Sequence, residues 1–410
     1  MTDGVQGAGL RSSDVLGRPL RVIALTHVYP RAEGDPSAAF LSTWAQALRR
    51  EGHDVRVLAP HDAGLSEIDL VAGVPVRRIR YAPDAHELLA YRGEMHRVAQ
   101  RLPLGPPLLG SFLIQMATAL RRAVRRWRPD VVHVHWWIPG AVIARMARID
   151  VPLVVHLHGT DVGVAEQRKV LRPIADWALA DVDRIEVVST SLARRAVLAM
   201  GVHPDGLNPM PLDLPGLTPV TPVVSLDRPV ILGIGRLVPE KGFRDLVAAV
   251  ARIQRPVRLR LLGEGPDGPV LAALARQAGV TLELPGRVPP DALPAEYAAA
   301  DVVVQPSHSE GFGMVAAEAV LLGRPLVATD SGGIRDLVER ELLVAVGDVA
   351  GLSHRIDEAL EDPDLPAVLR AGRRARRTLS PESAVTRTVE AWDAAIAARV
   401  LRRSAGPDRR

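Results

Sequence analysis

The distribution of apolar and polar residues along the chain predicts a repeating order of strand, loop and helix. Short apolar runs that stop at a proline or polar residue are typical of buried strands, and longer stretches with one apolar face are typical of helices. The clearest case is 301–333, where an apolar run at 302–304 is ended by Pro306, about ten helix-favouring residues follow, and a second short strand covers 325–329. This βαβ unit predicts a parallel sheet.

The same order recurs along most of the chain. Further strands are predicted at 20–26, 55–59, 74–79, 130–135, 152–158, 184–188, 229–234, 257–262 and 342–346. Helices are predicted at 38–50, 111–127, 140–148, 191–200, 352–360 and 383–398. The segment RLPLGPPLLG at 101–110 predicts a break in the chain because of its proline and glycine content. Strands alternating with helices indicate the α/β class.

A chain of 410 residues is too long for one ordinary core, so we expect two domains. A proline-rich stretch without periodicity, near 210–228, predicts a linker between them. The expected organisation is a disordered tail at 1–18, a Rossmann-like domain at 19–210, the linker at 211–228, a second Rossmann-like domain at 229–380, a final helix at 381–400 and a disordered tail at 401–410.

Composition excludes several classes of protein. Cysteine is absent, which excludes disulfide frameworks, thiol nucleophiles and cysteine-based metal sites. The 51 basic and 47 acidic residues give a net charge of +4, and aromatic residues are 3% of the chain, so we expect no nucleic-acid partner. No apolar run approaches the roughly 20 residues of a membrane span, and residues 1–18 lack an apolar segment of signal-peptide length. We expect a cytoplasmic protein.

Two glutamates flank the helix start in the 301–333 unit. Gly311 and Gly313 lie on either side of Phe312, and a loop with no Cβ at two positions allows an anion to approach the backbone N–H groups of 312–314. Glu310 precedes this loop and Glu318 lies inside the helix. A carboxylate accepts two neighbouring hydroxyl groups in a bidentate way, so sugar or ribose is the expected ligand. Taken alone, the two glutamates are equally compatible with capping and solvation.

A second candidate site follows the strand at 229–234. The sequence Gly233-Ile234-Gly235 suggests a dinucleotide-binding turn, but Val238 stands where the third glycine is required. The turn instead contains Arg236 and Lys241. Two cations at the carboxyl end of a strand suit a diphosphate, arginine through a bidentate contact and lysine as a point charge.

Four histidines lie in pairs on two predicted strands. His133 and His135 share one strand face, and His156 and His158 share another. We expect no metal site here, because no carboxylate or cysteine completes the ligand set and such histidines are more often core residues. His158 differs from the others because it ends its strand and is followed by Gly-Thr-Asp. Asp161 either orients a ring or an acceptor, or caps the helix that follows.

Several of these segments together resemble the retaining glycosyltransferases of family 4. E-G-F-G-M-V-A-A-E at 310–318 resembles the E-x7-E motif of that family, and G-R-L-V-P-E-K-G at 235–242 resembles its diphosphate-binding segment. H-G-T-D at 158–161 resembles the motif whose histidine lies beside the donor sugar. The segment 29–40, Y-P-x3-G-x-P-S-x2-F, is similar to the start of these enzymes, and 208–213 resembles their hinge.

The resemblance, which covers roughly 19–400, implies a GT-B fold in which two Rossmann-like domains with parallel sheets face a central cleft. It implies transfer of a sugar from a nucleoside diphosphate sugar to a hydroxyl acceptor, with retention and without a bound metal or other cofactor. The acceptor is expected to be a glycolipid, a polysaccharide precursor or a small natural product. The last helix is expected to cross back to the first domain.

The resemblance also assigns roles to individual residues. The catalytic set it implies is His158, Glu310, Arg236 and Lys241. The expected contacts to the nucleotide sugar are Gly34 beside the diphosphate, Arg287 and Val288 at the nucleobase, Phe312, Gly313 and Met314 at the helix start, Glu318 at the ribose, and again Arg236, Lys241 and Glu310.

Other functions stay open at this point. A GT-B sugar-nucleotide epimerase would process the donor without an acceptor, and a non-catalytic protein would bind the nucleotide sugar without turnover. Arginines 121, 122, 125, 126 and 128 end the predicted helix at 111–127. They are either a solvated helix end or a patch for anionic lipid, which would place the protein at the inner face of a membrane.

Overall fold

The computed structural model describes residues 19–92, 95–212, 228–362 and 365–404. The predicted tail 1–18, most of the predicted linker (213–227) and residues 405–410 lie outside this part of the chain. The chain divides into two compact units. Unit 1 contains the residues up to Val187, then Arg195–Pro211, and the chain from Pro381 onward; unit 2 contains Val188–Arg194 and Leu212–Ser380. The expectation of two α/β domains with parallel sheets is confirmed.

Unit 1 is built on an eight-stranded sheet of order β3-β4-β2-β1-β5-β6-β7-β8. Its strands are β1 (Arg21–Leu25), β2 (Asp54–Pro60), β3 (Ile68–Val71), β4 (Val74–Ile79), β5 (Val131–His135), β6 (Leu153–Leu157), β7 (Arg184–Val187) and β8 (Gly206–Leu207). All neighbours are parallel except β3 and β4. Strands β5 and β6 are buried at every position, as expected for central strands covered on both faces.

The helices of unit 1 connect these strands. They are α1 (Ala39–Arg50), α2 (Met95–Arg101), α3 (Gly105–Trp127), α4 (Val142–Ala147), α5 (Thr160–Gln167), α6 (Arg172–Leu179) and α7 (Thr190–Met200), of which α7 crosses from unit 2 into unit 1. Single turns of other helix types occupy Asp84–His86, Trp137–Ala141 and Lys169–Leu171.

Unit 2 is built on a six-stranded parallel sheet of order β11-β10-β9-β12-β13-β14. Its strands are β9 (Val230–Ile234), β10 (Arg258–Leu262), β11 (Leu282–Gly286), β12 (Val302–Gln305), β13 (Leu326–Thr329) and β14 (Leu343–Val344). Its helices are α8 (Phe243–Val250), α9 (Gly268–Gln277), α10 (Leu293–Ala299), α11 (Met314–Leu321), α12 (Ile334–Leu337), α13 (Val349–Glu361) and α14 (Leu365–Leu379), with single turns at Pro239–Lys241 and Arg340–Leu342. Because all six strands are parallel, their carboxyl ends lie at one edge, where ligands bind in such folds.

Several elements of the structure were not predicted from the sequence, and three of the differences have a clear physical reason. Helix α3 begins at Gly105, inside the segment predicted to break the chain, because prolines in the first helical turn remove no intrahelical hydrogen bond. Strand β3, which was not predicted, pairs with β4 through a tight turn at Ala72-Gly73, where both residues have positive φ. Helix α14, also not predicted, has a buried stripe in which three of six residues are alanines. Its Gly372 lies against α11 so closely that an added Cβ would be 2.3 Å from the Val320 carbonyl oxygen.

The last helix, α15 (Pro381–Ser404), belongs to unit 1 and is longer than predicted. Residues 401–404, predicted to be disordered, are helical. The reason is an acid cluster on the same unit: Arg399 donates to Asp183 Oδ2 at 2.8 Å, and Arg402 also pairs with Asp183. Arg403 extends the pairing to Asp150 at 2.7 Å. Within the described residues, no helix is both long enough and apolar enough to cross a membrane.

Candidate functional site

The helix start in the β12–α11 unit has the geometry of an anion site. Gly313 precedes α11 with a φ of 102°, and a Cβ at this position would lie 2.6 Å from Cγ1 of Ile334. Only glycine satisfies both constraints. In the described part of the chain, the N–H groups of Met314 and Val315 have no hydrogen-bond acceptor. These donors and the helix dipole favour negative charge at this point.

Glu310 and Lys241 form an ion pair beside this helix start. The Lys241 Nζ donates to Glu310 Oε1, and the two side chains are 24% and 12% exposed. Gln305 Nε2 and Ser307 Oγ donate to the same oxygen, each at 2.8 Å. Burial raises the pKa of Glu310, but the Lys241 charge and the hydrogen bonds outweigh it and hold the pKa below its ordinary value. Glu310 is therefore a carboxylate at neutral pH.

Glu318 lies in a different environment, although it is on the same helix-loop unit. Tyr297, on α10, donates its hydroxyl to Glu318 Oε2 at 2.5 Å. Burial raises the pKa of Glu318 to about 7, and the Tyr297 hydrogen bond offsets only part of that effect. Burial and the Glu318 charge in turn raise the pKa of Tyr297 well above its ordinary value, so Tyr297 stays a donor. The two glutamates thus differ in charge near pH 7.

The loops after β9 and β13 complete this edge of unit 2. Arg236 follows β9 and is exposed, and Lys241 lies in the next turn, Pro239–Lys241. After β13, Gly332 has a φ of 57°, and a Cβ there would lie 1.8 Å from the Glu310 carbonyl oxygen. Ser189, in the segment grouped with unit 2, donates its hydroxyl to the Gly311 carbonyl at 2.8 Å. The backbone around Glu310 is therefore held by close contacts on two sides.

Arg287 and Val288 follow β11, the edge strand on the other side of β10 and β9. The turn is tied to the neighbouring strand because the Gly263 N–H donates to the Gly286 carbonyl at 2.8 Å. Arg287 is exposed and Val288 is half-buried. Both lie at the carboxyl-end edge of the sheet, which Lys241 and Glu310 share.

In unit 1, His158 follows β6 within a group of aromatic rings. Its Nε2 lies 3.1 Å from Nδ1 of His135, and its ring centroid is 4.4 Å from that of Trp136 and 5.4 Å from that of Phe40. Burial, together with neighbouring histidines, holds the pKa of His158 well below its ordinary value. The ring is therefore neutral at physiological pH and is available as a hydrogen-bonding group rather than a cation.

Asp161 binds the backbone of the loop that contains His158. Its Oδ1 accepts from the N–H groups of His158 at 3.2 Å and Gly159 at 2.9 Å, and its Oδ2 accepts from the Trp137 N–H at 3.2 Å. The side chain is the second residue of α5 and does not act as its N-cap. Asp161 therefore fixes the loop backbone, and thereby the position from which the His158 side chain projects, rather than capping α5. A role in orienting the ring or an acceptor stays a prediction.

His133, His135 and His156 form a buried group whose nitrogens lie within 4.8 Å of one another. The Trp392 Nε1 donates to His133 Nδ1 at 2.9 Å, so the proton of a neutral His133 is on Nε2. A metal ligand needs an unprotonated nitrogen, which makes His133 a poor ligand in this arrangement. The three histidines are buried in the core, as expected, whereas the expected absence of a metal stays a prediction.

Gly34 lies in the loop after β1 and is exposed. Asp35 shapes this loop, because its carboxylate accepts from the Arg31 N–H at 3.0 Å and from the Ser37 N–H at 3.1 Å. The four arginines near the end of α3 are exposed, at positions 121, 122, 125 and 126. Arg128 lies beyond the last residue of the helix, at its C-cap, with a φ of 50°.

Unit 2 brings together Lys241, Glu310 and the start of α11, as the sequence suggested, but three of their partners were missed. Gln305 and Ser307 support Glu310, and Tyr297 supports Glu318. Gln305 could have been recognised from the sequence, because it is a polar residue at the end of the valine run of β12. Tyr297 could not have been recognised in this way, because its partner Glu318 is 21 residues away in the sequence.

Comparisons with known proteins cover nearly the whole chain. The family model "Glycosyl transferases group 1" matches residues 222–377, and "Glycosyl transferase 4-like domain" matches residues 37–213. A glycogen synthase of Mycobacterium tuberculosis is 30% identical over 392 residues, which cover 88% of this chain and 91% of that protein. A 2-deoxystreptamine glucosyltransferase of Streptomyces kanamyceticus is 30% identical, with coverage of 76% and 89%.

Solved structures show the same architecture. Sucrose-phosphate synthase of Thermosynechococcus elongatus has a TM-score of 0.75 and 20% identity, with coverage of 92% of this chain and 100% of that one. Anabaena Alr3699/HepE in complex with UDP-glucose has a TM-score of 0.69 and 19% identity, with coverage of 90% and 98%. The expected GT-B fold is confirmed.

Proposed function

The chain belongs to the family 4-type glycosyltransferases, and from that premise we propose that it transfers a sugar from a nucleoside diphosphate sugar to an acceptor hydroxyl, with retention. The observation that supports this most directly is the Lys241–Glu310 pair beside the open start of α11. A cation, two unpaired backbone donors and a charged carboxylate stand together there. A diphosphate linked to a sugar needs this combination: positive groups for the phosphates and an acceptor for sugar hydroxyls.

On this proposal the carboxyl-end edge of unit 2 binds the donor. Lys241 and Arg236 contact the diphosphate together with the N–H groups at 312–314. Glu318 accepts from the ribose hydroxyls, and its raised pKa falls when those hydroxyls donate to it. Arg287 and the backbone of Val288 contact the nucleobase. The UDP-glucose named in the complex of Anabaena Alr3699/HepE is a donor of the same class.

We propose that the leaving diphosphate is neutralised by these protein cations and amides without a bound metal. Positive groups fixed in advance stabilise charge that develops in the transition state, which is the role a divalent cation has in other phosphate chemistry. Glu310 accepts from hydroxyls of the transferred sugar. His158, which is neutral and lies 3.1 Å from His135, is proposed to hydrogen-bond that sugar as well. Retention then follows from same-face attack, in which the leaving phosphate takes the acceptor proton.

The acceptor is proposed to bind unit 1, through its hydroxyl. The names of the two relatives, a glycogen synthase and a 2-deoxystreptamine glucosyltransferase, refer to a polysaccharide and to a small molecule. We therefore propose a glycolipid, a polysaccharide precursor or a small natural product as the acceptor. The exposed arginines of α3 have no acidic partner in the described part of the chain. We propose that they contact anionic lipid at the inner face of a membrane, with the protein otherwise in the cytoplasm.

The first experiment is a thermal-shift panel of UDP, GDP, ADP and TDP and their common sugars. The chain has two lysines, so Lys241→Ala has a matched control in Lys169→Ala, at an exposed position of unit 1. A ligand at 100 times its Kd stabilises the fold by about 2.7 kcal/mol. We expect one nucleotide to stabilise the wild type and Lys169→Ala but not Lys241→Ala. Failure of every nucleotide at millimolar concentration would refute the proposed donor site.

A turnover assay then separates the alternatives. Incubation with the stabilising donor alone would convert its sugar if the protein were an epimerase. Binding without any release of nucleoside diphosphate, with a broad set of hydroxyl acceptors, would indicate a non-catalytic binder.

A further inference from the structure

Gln305 is a buried amide in an otherwise apolar strand. It ends β12 after three valines, and its side chain is 3% exposed. A primary amide has two donor hydrogens and an acceptor oxygen, and a buried polar group without a partner costs about 1–3 kcal/mol. A leucine or valine would fill the same position without that requirement, so the partners of Gln305 indicate its role.

The two ends of the amide bind two different parts of the donor site. Its Oε1 accepts from the Ala316 N–H at 2.8 Å, in the first turn of α11. Its Nε2 donates to Glu310 Oε1 at 2.8 Å. An N–H group only donates and a carboxylate only accepts, so the orientation of the amide is fixed.

The Glu310 oxygen that Gln305 contacts is shared with Lys241 and Ser307. A diphosphate at this site competes with Glu310 for the Lys241 ammonium, because both are anionic. When Lys241 turns to the phosphates, the neutral donors Gln305 and Ser307 stay on the carboxylate. They hold it in place at the moment when it contacts the sugar.

We infer that Gln305 is a positioning residue that ties the Glu310 carboxylate to the start of α11, and so sets which sugar hydroxyls the enzyme accepts. This inference rests on the proposed function, in which Glu310 contacts the transferred sugar. The sugar ring and the diphosphate are thereby recognised from one rigid unit. Donors whose sugars differ in the configuration of one hydroxyl should be distinguished through this contact.

Two variants test the two hydrogen bonds of the Gln305 amide. Gln305→Met keeps the size of the side chain and removes both hydrogen bonds. Gln305→Glu keeps an acceptor for the Ala316 N–H but, when ionised, has no hydrogen for Glu310. Gln254→Met makes the first change at an exposed position and is the matched control. Melting temperatures show whether each variant is folded.

The readouts are the Kd for the nucleoside diphosphate and the kcat/KM for the sugar donor. For Gln305→Met we expect kcat/KM to fall about 10- to 100-fold, as for a lost hydrogen bond to a charged group. The Kd should change by less than about threefold, since the phosphate contacts do not involve this amide. Discrimination between two donors epimeric at one hydroxyl should fall as well. Gln254→Met should match the wild type in all three.

The pH dependence of Gln305→Glu tests the donated hydrogen itself. A protonated carboxyl at this position can donate to Glu310, whereas an ionised one repels it. The kcat/KM of this variant, relative to wild type, should therefore rise as the pH falls from 8 to 6. If Gln305 only capped α11, the kcat/KM of the variant relative to wild type would not change with pH.

The inference is overturned if Gln305→Met turns over the donor like the wild type. It is also overturned if the variant loses nucleoside diphosphate binding as strongly as turnover, because Gln305 would then only stabilise the helix start. If the wild type binds no nucleoside diphosphate at all, the proposed function fails and the inference fails with it. Wild-type turnover with an unaffected variant contradicts the inference alone.

Discussion

Replacing Glu318 by glutamine should stabilise the empty protein, although the glutamate belongs to the proposed donor site. Glutamine still accepts the Tyr297 hydrogen bond but has no charge to bury. The pKa of Glu318 is raised from 4.5 to about 7. A group whose pKa is raised in the folded state stabilises the fold at low pH and loses that contribution as the pH rises through the folded value.

The size of the stabilisation follows from the difference between the ordinary pKa of 4.5 and the pKa of about 7 in the folded protein. At about 1.4 kcal/mol for each pKa unit, the ionised wild-type glutamate costs about 3 kcal/mol at pH 8 and less than about 1 kcal/mol at pH 5. Glu318→Gln should remove this cost. Unfolding by urea at the two pH values measures it, and the gain in stability should be clearly larger at pH 8. The same variant should bind the donor more weakly, because its amide cannot accept from both ribose hydroxyls.

Glu310→Gln is the matched control, since the pKa of Glu310 is shifted in the opposite direction. A lowered pKa stabilises the fold above the unfolded value, and this contribution is lost as the pH falls. The variant leaves Lys241 without its charged partner, so it should destabilise the protein at pH 8 and do so less at low pH. If Glu318→Gln is no more stable than wild type at pH 8, or if both variants change stability in the same direction, the assignment of the two environments is wrong.

Three further predictions concern other residues. Gly332→Ala should destabilise unit 2 by about 1–3 kcal/mol, because its Cβ would meet the Glu310 carbonyl. Gly347 also has a positive φ, of 79°, but open space around it, so Gly347→Ala should cost less. Melting temperatures of the two variants test this difference. His158→Ala should lower kcat by about 10- to 100-fold and leave nucleoside diphosphate binding unchanged, and an unchanged kcat would contradict its role. Arg121→Glu combined with Arg125→Glu should abolish sedimentation with vesicles of anionic lipid, and wild-type binding indifferent to lipid charge would contradict a membrane role.

Residues within one short motif were the part of the site that could be predicted from sequence. Glu310, Gly313 and Glu318 are separated by fixed numbers of residues on one loop and helix, so local geometry places them. Lys241 could be placed near them because both segments follow parallel strands, whose carboxyl ends meet at one edge. The direct pairing of Lys241 with Glu310 was not predicted.

What could not be predicted depends on contacts between distant segments. Tyr297 on α10 meets Glu318 on α11 through the fold, and nothing near Tyr297 in the sequence indicates a carboxylate. Helix α14 has small residues on its buried face, and alanine does not mark a core stripe as leucine does. Residues 401–404 are helical because Asp183, more than 200 residues earlier, pairs with Arg402.

The measurement that tests the central claim most directly is the configuration of the product. The donor that stabilises the wild type is incubated with a hydroxyl acceptor, and proton NMR follows the anomeric signal while nucleoside diphosphate release is measured. The account predicts a new glycoside with the anomeric configuration of the donor, formed in step with nucleoside diphosphate, and strongly reduced with Lys241→Ala but not with Lys169→Ala. A product of inverted configuration, or an altered sugar still attached to its nucleotide, would contradict it.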